Sequence, residues 1–216
     1  MNVKICCIQS LEEARLAIKY GASAIGLVSE MPSGPGVISE DLITEIAARV
    51  PNEIKTFLLT CKITAEEIIS QLINCKTNTV QLVDSVDFKV YGSLRKELPQ
   101  ISIVQVIHIT NEESISWAKR VEKFVDAVLL DSGNQNSKVK ELGGTGRTHN
   151  WEISKRIVEQ LKIPVYLAGG LNADNIKEAA KCVQPFGVDL CNGVRTNNKL
   201  DKDKLKKFFN VVNNIN

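Results

Sequence analysis

The sequence predicts an α/β protein: one closed, parallel, eight-stranded (β/α)8 barrel of the TIM-barrel class. Three observations carry that prediction. Eight short apolar runs alternate strictly with eight helical patterns, and such alternation implies parallel strands joined by crossover helices. The apolar runs are rich in Val, Ile and Leu, as strands covered on both faces should be. The turn after the first run reads CCIQSLEE, where an open doubly wound sheet would want a G-x-G-x-x-G loop.

The elements follow in order. Residues 3–8 (VKICCI) read as a strand. A helix over 10–20 follows, with Ser10 as N-cap, Glu13 at capping-box spacing and Gly21 as its stop. A strand at 23–28 leads through a loop to a helix at 39–50, which Ser39 caps and Pro51 ends. Strand 54–60 precedes helix 64–75, and strand 79–82 precedes helix 87–97. Strand 102–107 precedes helix 112–123, whose Ile115, Ala118 and Val121 form a buried stripe. Strand 125–130 opens onto a long loop and then a helix at 151–161. Strand 164–168 and helix 172–182 follow, then strand 187–190 and a closing helix at 201–213.

Length alone would allow two small domains in 216 residues. The eight-unit count instead predicts one domain over 1–216, at about 27 residues per unit, near the lower end of the fold's size. Lys plus Arg number 27 against 25 Asp plus Glu, a net charge of +2, which argues against a nucleic-acid-binding surface. No run approaches the roughly 18 apolar residues of a membrane span. The N-terminal stretch lacks a basic segment followed by an apolar one, so no export signal and a cytoplasmic location are expected. Oligomeric state is not legible, since no exposed apolar stripe stands out. The six cysteines have no zinc-type spacing, and only His108 and His149 could join them, so reduced thiols and no metal site are expected. Cys6 and Cys7, adjacent on a strand, should point to opposite faces.

A barrel carries its active site at the C-terminal ends of its strands. Two glycine turns lie there: Gly169-Gly170 after the seventh strand and Asn192-Gly193 after the eighth. They fit the usual barrel phosphate site, where backbone N–H groups meet the anion, although each could be a plain turn. Asp131 ends the sixth strand, as a general acid or base or as a turn residue. Cys6 is a base candidate or a small buried apolar residue. His108 closes the fifth strand, in a functional or a structural role. The 131–150 loop is long enough to be functional. It holds Gly143, Gly144 and Arg147, which could cover a ligand and face an anion. Pro32-Ser33-Gly34-Pro35-Gly36 is a second glycine-rich loop.

These segments resemble the phosphoribosylanthranilate isomerase family. VKICCIQSLEEA is similar to the family's VKICGIT-LEDA opening, and Gly21 to Leu27 echo its GADAIGF. VLLDS, GGTGRTHNW, LAGGLNADNI and PFGVDLCNGV resemble LLD, GGTGKTFDW, LAGGLNPENV and GVDVSSGVE. The resemblance spans residues 3 to 195. It implies a (β/α)8 barrel and a cofactor-free Amadori rearrangement in tryptophan biosynthesis. The substrate is a phosphorylated aminosugar, an N-(5-phosphoribosyl) aminoaldose that becomes an aminoketose. The family base falls on Cys6 and the family acid on Asp131. Cys6 must reach a thiolate, so a nearby cation or dipole is expected. Gly144, Gly169, Gly170, Asn192 and Gly193 become phosphate candidates. Gln81, His108, Arg147 and Arg195 are further substrate candidates.

Several family positions differ. The glycine after the catalytic cysteine is Cys7. The arginine that meets the anthranilate carboxylate is Gly36. In the fourth-strand QLHG motif, the His is Val83 and the Gly is Asp84. The Ser-Ser of the eighth-strand motif is Cys191-Asn192, and its Glu is Arg195. The aromatic-acid end of the pocket is therefore rewritten. A related isomerase or lyase for another phosphosugar, or a non-catalytic phosphate-ligand sensor, stay open as alternatives.

Overall fold

The structure, a computed structural model, describes residues 1–133, 142, 146 and 148–215. Eight parallel strands close into a barrel in the order of the chain. They are β1 (Asn2–Ile5), β2 (Ala24–Val28), β3 (Lys55–Thr60), β4 (Thr79–Leu82), β5 (Ser102–His108), β6 (Ala127–Asp131), β7 (Val165–Leu167) and β8 (Gly187–Leu190). The ring shuts where β1 pairs β8, with Lys4 opposite Asp189 and Ile5 opposite Leu190. Between the strands run α1 (Leu11–Tyr20), α2 (Glu40–Arg49), α3 (Ala65–Cys75), α4 (Phe88–Glu97), α5 (Glu113–Val121), α6 (Trp151–Gln160) and α7 (Ile176–Val183). The helix Lys202–Val212 packs last, against α1 and α7.

Local chemistry sets the boundaries. Ser10 Oγ accepts the Glu13 N–H, and Glu13 Oε2 accepts the Gln9 N–H, which closes the start of α1 from both sides. Gly21 ends α1 at a φ of 113°, in the left-handed region glycine favours. Ser39 and Thr64 cap α2 and α3 in the same way. The helix expected from residue 172 starts at Ile176. Asn172 Oδ1 instead accepts the N–H groups of Asp174 and Asn175, an Asx-type turn that competes with helix.

Alternation along each strand separates two apolar cores. Outward residues such as Val3, Ile5, Ile25, Leu27, Leu58 and Val128 pack beneath the helices. Inward residues such as Cys6, Ala24, Phe57, Val104, Leu129 and Tyr166 fill the barrel. Tyr166 meets Phe57 edge-on at 6.0 Å, so the lower interior is solid rather than a pore. Among the described residues, no helix is long and apolar enough to cross a membrane.

Two further features differ from expectation. The first strand stops at Ile5, not residue 8, because Cys7 takes a φ of 61° and turns the chain. A small hairpin also follows β8. Its strands are β9 (Arg195–Thr196) and β10 (Lys199–Leu200), joined by Asn197 and Asn198 at φ 50° and 61°. Two consecutive positive φ angles make a type I′ turn, which asparagine tolerates.

Candidate active site

A cavity of about 270 Å³ opens at the C-terminal ends of the strands. Inward alternation on β1 places Lys4 one layer below Cys6. Lys4 is fully buried, and its Nζ lies 2.9 Å from Asp189 Oδ2 and 5.1 Å above the Phe57 ring. Burial alone would lower the Lys4 pKa, but the Asp189 carboxylate and Cys6 reverse this and raise it, so the ammonium stays charged. Gly26 on β2 makes this arrangement possible. A Cβ there would stand 2.8 Å from Cys6 Sγ and 3.0 Å from Lys4 Nζ.

Cys6 is buried and lines the cavity. Its pKa is lowered, first by the Cys7 thiol hydrogen-bonded to it and then, against the cost of burial, by the Lys4 ammonium. The expected cation is therefore present, and it comes from the same strand. Cys7 does not point to the opposite face. Its left-handed turn brings its thiol into the same cavity, where it lies 2.8 Å from Cys191 Sγ. The neighbouring thiols Cys191 and Cys6, and burial, hold Cys7 well above the ordinary thiol range, so it remains protonated.

Asp131 ends β6 and lines the same cavity, 8% exposed. Its Oδ1 accepts the Ser132 N–H at 2.7 Å, which fixes the carboxyl plane. Gln81 reaches the cavity from β4, and its buried Oε1 meets no hydrogen-bond partner among the described residues. Asp189 lines the cavity too, and its Oδ1 is equally unpartnered there.

The two glycine turns meet. Gly169 and Gly170 take φ of 82° and 62°. A Cβ on Gly193 would overlap the Leu171 carbonyl oxygen and sit 3.0 Å from Asn172 Cβ, so only glycine lets the turn after β8 nest on the turn after β7. Both turns, with Asn192, line the cavity. Gly146 joins them from the long loop, where its Cβ would lie 3.4 Å from Asn192 Nδ2.

The structure therefore brings Cys6, Gln81, Asp131, Gly169, Gly170, Asn192 and Gly193 around one space. Gly144 and Arg147 lie outside the described residues. His108 stands beside Asp131 in register, but its Nε2 meets the Val83 carbonyl at 2.9 Å and it does not line the cavity. Arg195 requires a correction. It turns away from the cavity and is buried at 6% exposure. Its guanidinium is held by Glu13 in a bidentate pair (3.0 and 2.8 Å), by the Asn198 carbonyl at 2.8 Å and by the Cys7 carbonyl. With both Nη groups so engaged and the residue outside the cavity lining, it fastens α1, the hairpin and the Cys7 turn together.

Sequence reading missed Lys4, Asp189 and the Cys7–Cys191 contact. The signal for the first two was present: single charges inside the short apolar runs VKI and GVDL, on the inward period of neighbouring strands. Cys191 follows directly from that same period. Among the described residues, no group of three or more His, Cys, Asp or Glu is placed to hold a metal ion.

Fold and site together define a (β/α)8-barrel protein with a thiol and a carboxyl facing one another's cavity beneath paired glycine turns. Comparison with known proteins gives the family. The model of the N-(5′-phosphoribosyl)anthranilate (PRA) isomerase family matches residues 3–211, and the chain belongs to that family. It is 36% identical over 208 residues to N-(5′-phosphoribosyl)anthranilate isomerase 2 of Methanosarcina mazei, covering 95% of this chain and 90% of that protein. It is 31% identical over 225 residues to the N-(5′-phosphoribosyl)anthranilate isomerase of Methanosarcina acetivorans, covering 98% and 92%. Its fold also matches a crystal structure of phosphoribosyl anthranilate isomerase in complex with reduced 1-(o-carboxyphenylamino)-1-deoxyribulose 5-phosphate. The TM-score is 0.81 at 26% identity, covering 99% of this chain and 98% of that one.

Proposed function

We propose that this chain carries out the Amadori rearrangement of N-(5-phosphoribosyl)anthranilate, from aminoaldose to aminoketose, in tryptophan biosynthesis. The observation that carries this reading is the convergence of Cys6 and Asp131 on one cavity that also holds both glycine turns. In this reading Asp131 donates a proton to the furanose ring oxygen. The ring opens to an iminium, and the Cys6 thiolate removes the C2 proton. The enolamine that results tautomerises to the ketose. The Cys7 thiol and Lys4 lower the Cys6 pKa, which favours the thiolate this step needs.

The phosphate sits at Gly169, Gly170, Asn192 and Gly193, whose close nesting brings backbone N–H groups within reach of an anion. In this reading Gln81 accepts a hydrogen bond from a sugar hydroxyl at its Oε1, which meets no partner among the described residues; that lone buried acceptor supports the assignment. The structural neighbour above is in complex with a deoxyribulose 5-phosphate derivative, which supports the phosphate assignment. Free thiols at all six cysteines fit a cytoplasmic place of action.

The test is complementation. A tryptophan auxotroph lacking this isomerase should grow on minimal medium when the chain is expressed. No growth from well-expressed, folded protein would overturn the reading.

A further inference from the structure

The mechanism above uses the Cys6 thiolate but leaves Cys7 and Cys191 without a chemical step. Their sulfurs lie 2.8 Å apart as free thiols, well inside ordinary non-bonded sulfur contact. They sit at the end of the β1–β8 seam. Ile5 pairs with Leu190, and the Cys6 N–H donates to the Leu190 carbonyl at 2.7 Å, so the backbones on either side are already fastened. The left-handed turn at Cys7 then carries its side chain across to Cys191. Both thiols line the cavity, and Cys191 is partly exposed, so a small oxidant can reach the pair.

We propose that Cys7 and Cys191 form a reversible disulfide that gates the active site. The oxidant class is a low-molecular-weight disulfide, RSSR. The Cys191 thiolate attacks one sulfur of RSSR, which forms a mixed disulfide and expels RS⁻. Cys7 then gives up its proton, attacks the Cys191 sulfur and expels the second RS⁻. The two protons end on the two expelled thiolates. Two protein thiols are oxidised, one RSSR is reduced to two RSH, and the steps reverse with excess RSH.

The functional consequence rests on the reading of Cys6 as the base. A Cys7 sulfur held in a disulfide has no hydrogen to donate. Cys7 adjoins Cys6 in the chain and lines the same cavity, so tying its side chain to Cys191 withdraws a thiol donor from the lining next to Cys6, and turnover falls. A charge-assisted donor of this kind is worth roughly ten-fold or more in rate. Reduction restores the donor and the rate.

The experiment treats the purified chain with oxidised glutathione, then with excess dithiothreitol. Disulfides are mapped by mass spectrometry, and turnover is measured at each stage. The expected result is a Cys7–Cys191 cross-link that appears and disappears with a roughly ten-fold or greater loss and return of activity. Cys191→Ser should form no such cross-link and should keep its own reduced rate under the oxidant. If Cys7 and Cys191 both stay free to alkylation after oxidation, the proposal is overturned. If the cross-link forms while turnover holds, or if Cys191→Ser is inactivated equally, the gating is overturned. A chain inactive in both states that still forms the cross-link reversibly would sink the assigned reaction and leave the thiol pair standing.

Discussion

Cys7 and Gly36 share one space. A Cβ on Gly36 would overlap the Cβ of Cys7 and stand 2.8 Å from its Cα. These are two of the positions at which the sequence departs from the family pattern, a glycine become cysteine and an arginine become glycine. With the Cys7 side chain in place, residue 36 has no room for a Cβ, so the two departures bear on one another.

That shared space predicts coupling. Gly36→Arg alone should be poorly tolerated, since its Cβ meets Cys7 and Gly36 has a φ of 84°. Cys7→Gly together with Gly36→Arg should recover much of the stability lost, by about 1 kcal/mol or more beyond additivity. Urea unfolding of the two single variants and the double variant measures it. Strict additivity would show that the two sites do not share space.

The Cys6 thiolate predicts a pH dependence with a definite sign. Its pKa lies below the ordinary thiol value, so alkylation of Cys6 by iodoacetamide should reach its plateau at a lower pH than for a free cysteine. Lys4→Met paired with Asp189→Asn removes both buried charges together, so neither is left alone. The inflection should then move up, because Lys4 lowers the Cys6 pKa more than Asp189 raises it. Cys7→Ala should move it up as well. An unchanged inflection in both variants would remove Lys4 and Cys7 from the account of Cys6.

The Arg195–Glu13 pair is a stability element. Arg195→Met leaves a half-buried carboxylate without its guanidinium and frees the Cys7 carbonyl. Unfolding free energy should drop by about 3 kcal/mol. An Arg195 that instead bound substrate would show a raised KM with unchanged stability.

Gly193→Ala should weaken phosphate binding, since the new methyl drives the turn after β8 off Leu171. Inorganic phosphate, competing with substrate, should lose roughly ten-fold in affinity, the effect of one or two misplaced backbone donors. Equal phosphate inhibition in variant and parent would move the phosphate elsewhere.

Much of the barrel was legible in the sequence because its strands and helices carry local signals. Ser10, Ser39 and Gly21 announce their helix ends, and the apolar runs announce strands that are covered on both faces. Cys6 and Asp131 were legible because a barrel puts its chemistry at strand ends. Lys4 was missed although its lone charge in an apolar run was a signal, because a buried lysine is rare and that charge gains its meaning only with its partner 185 residues away. The Cys7 turn was missed because a period-2 pattern cannot show where a strand stops, and a left-handed cysteine has no sequence signature. Arg195 misled for a related reason. Its position beside a glycine turn suggests an anion, whereas the partner that claims it, Glu13, lies at the other end of the chain.

The central claim is that Cys6 and Asp131 act as base and acid on one phosphorylated aminosugar. It is tested most directly by turnover of N-(5-phosphoribosyl)anthranilate in Cys6→Ala and Asp131→Ala, with binding of the reduced product analogue measured alongside. Each substitution should lower kcat by roughly 10²–10⁴ while analogue affinity stays within a few-fold of the parent. Near-parental kcat in either variant would contradict the account.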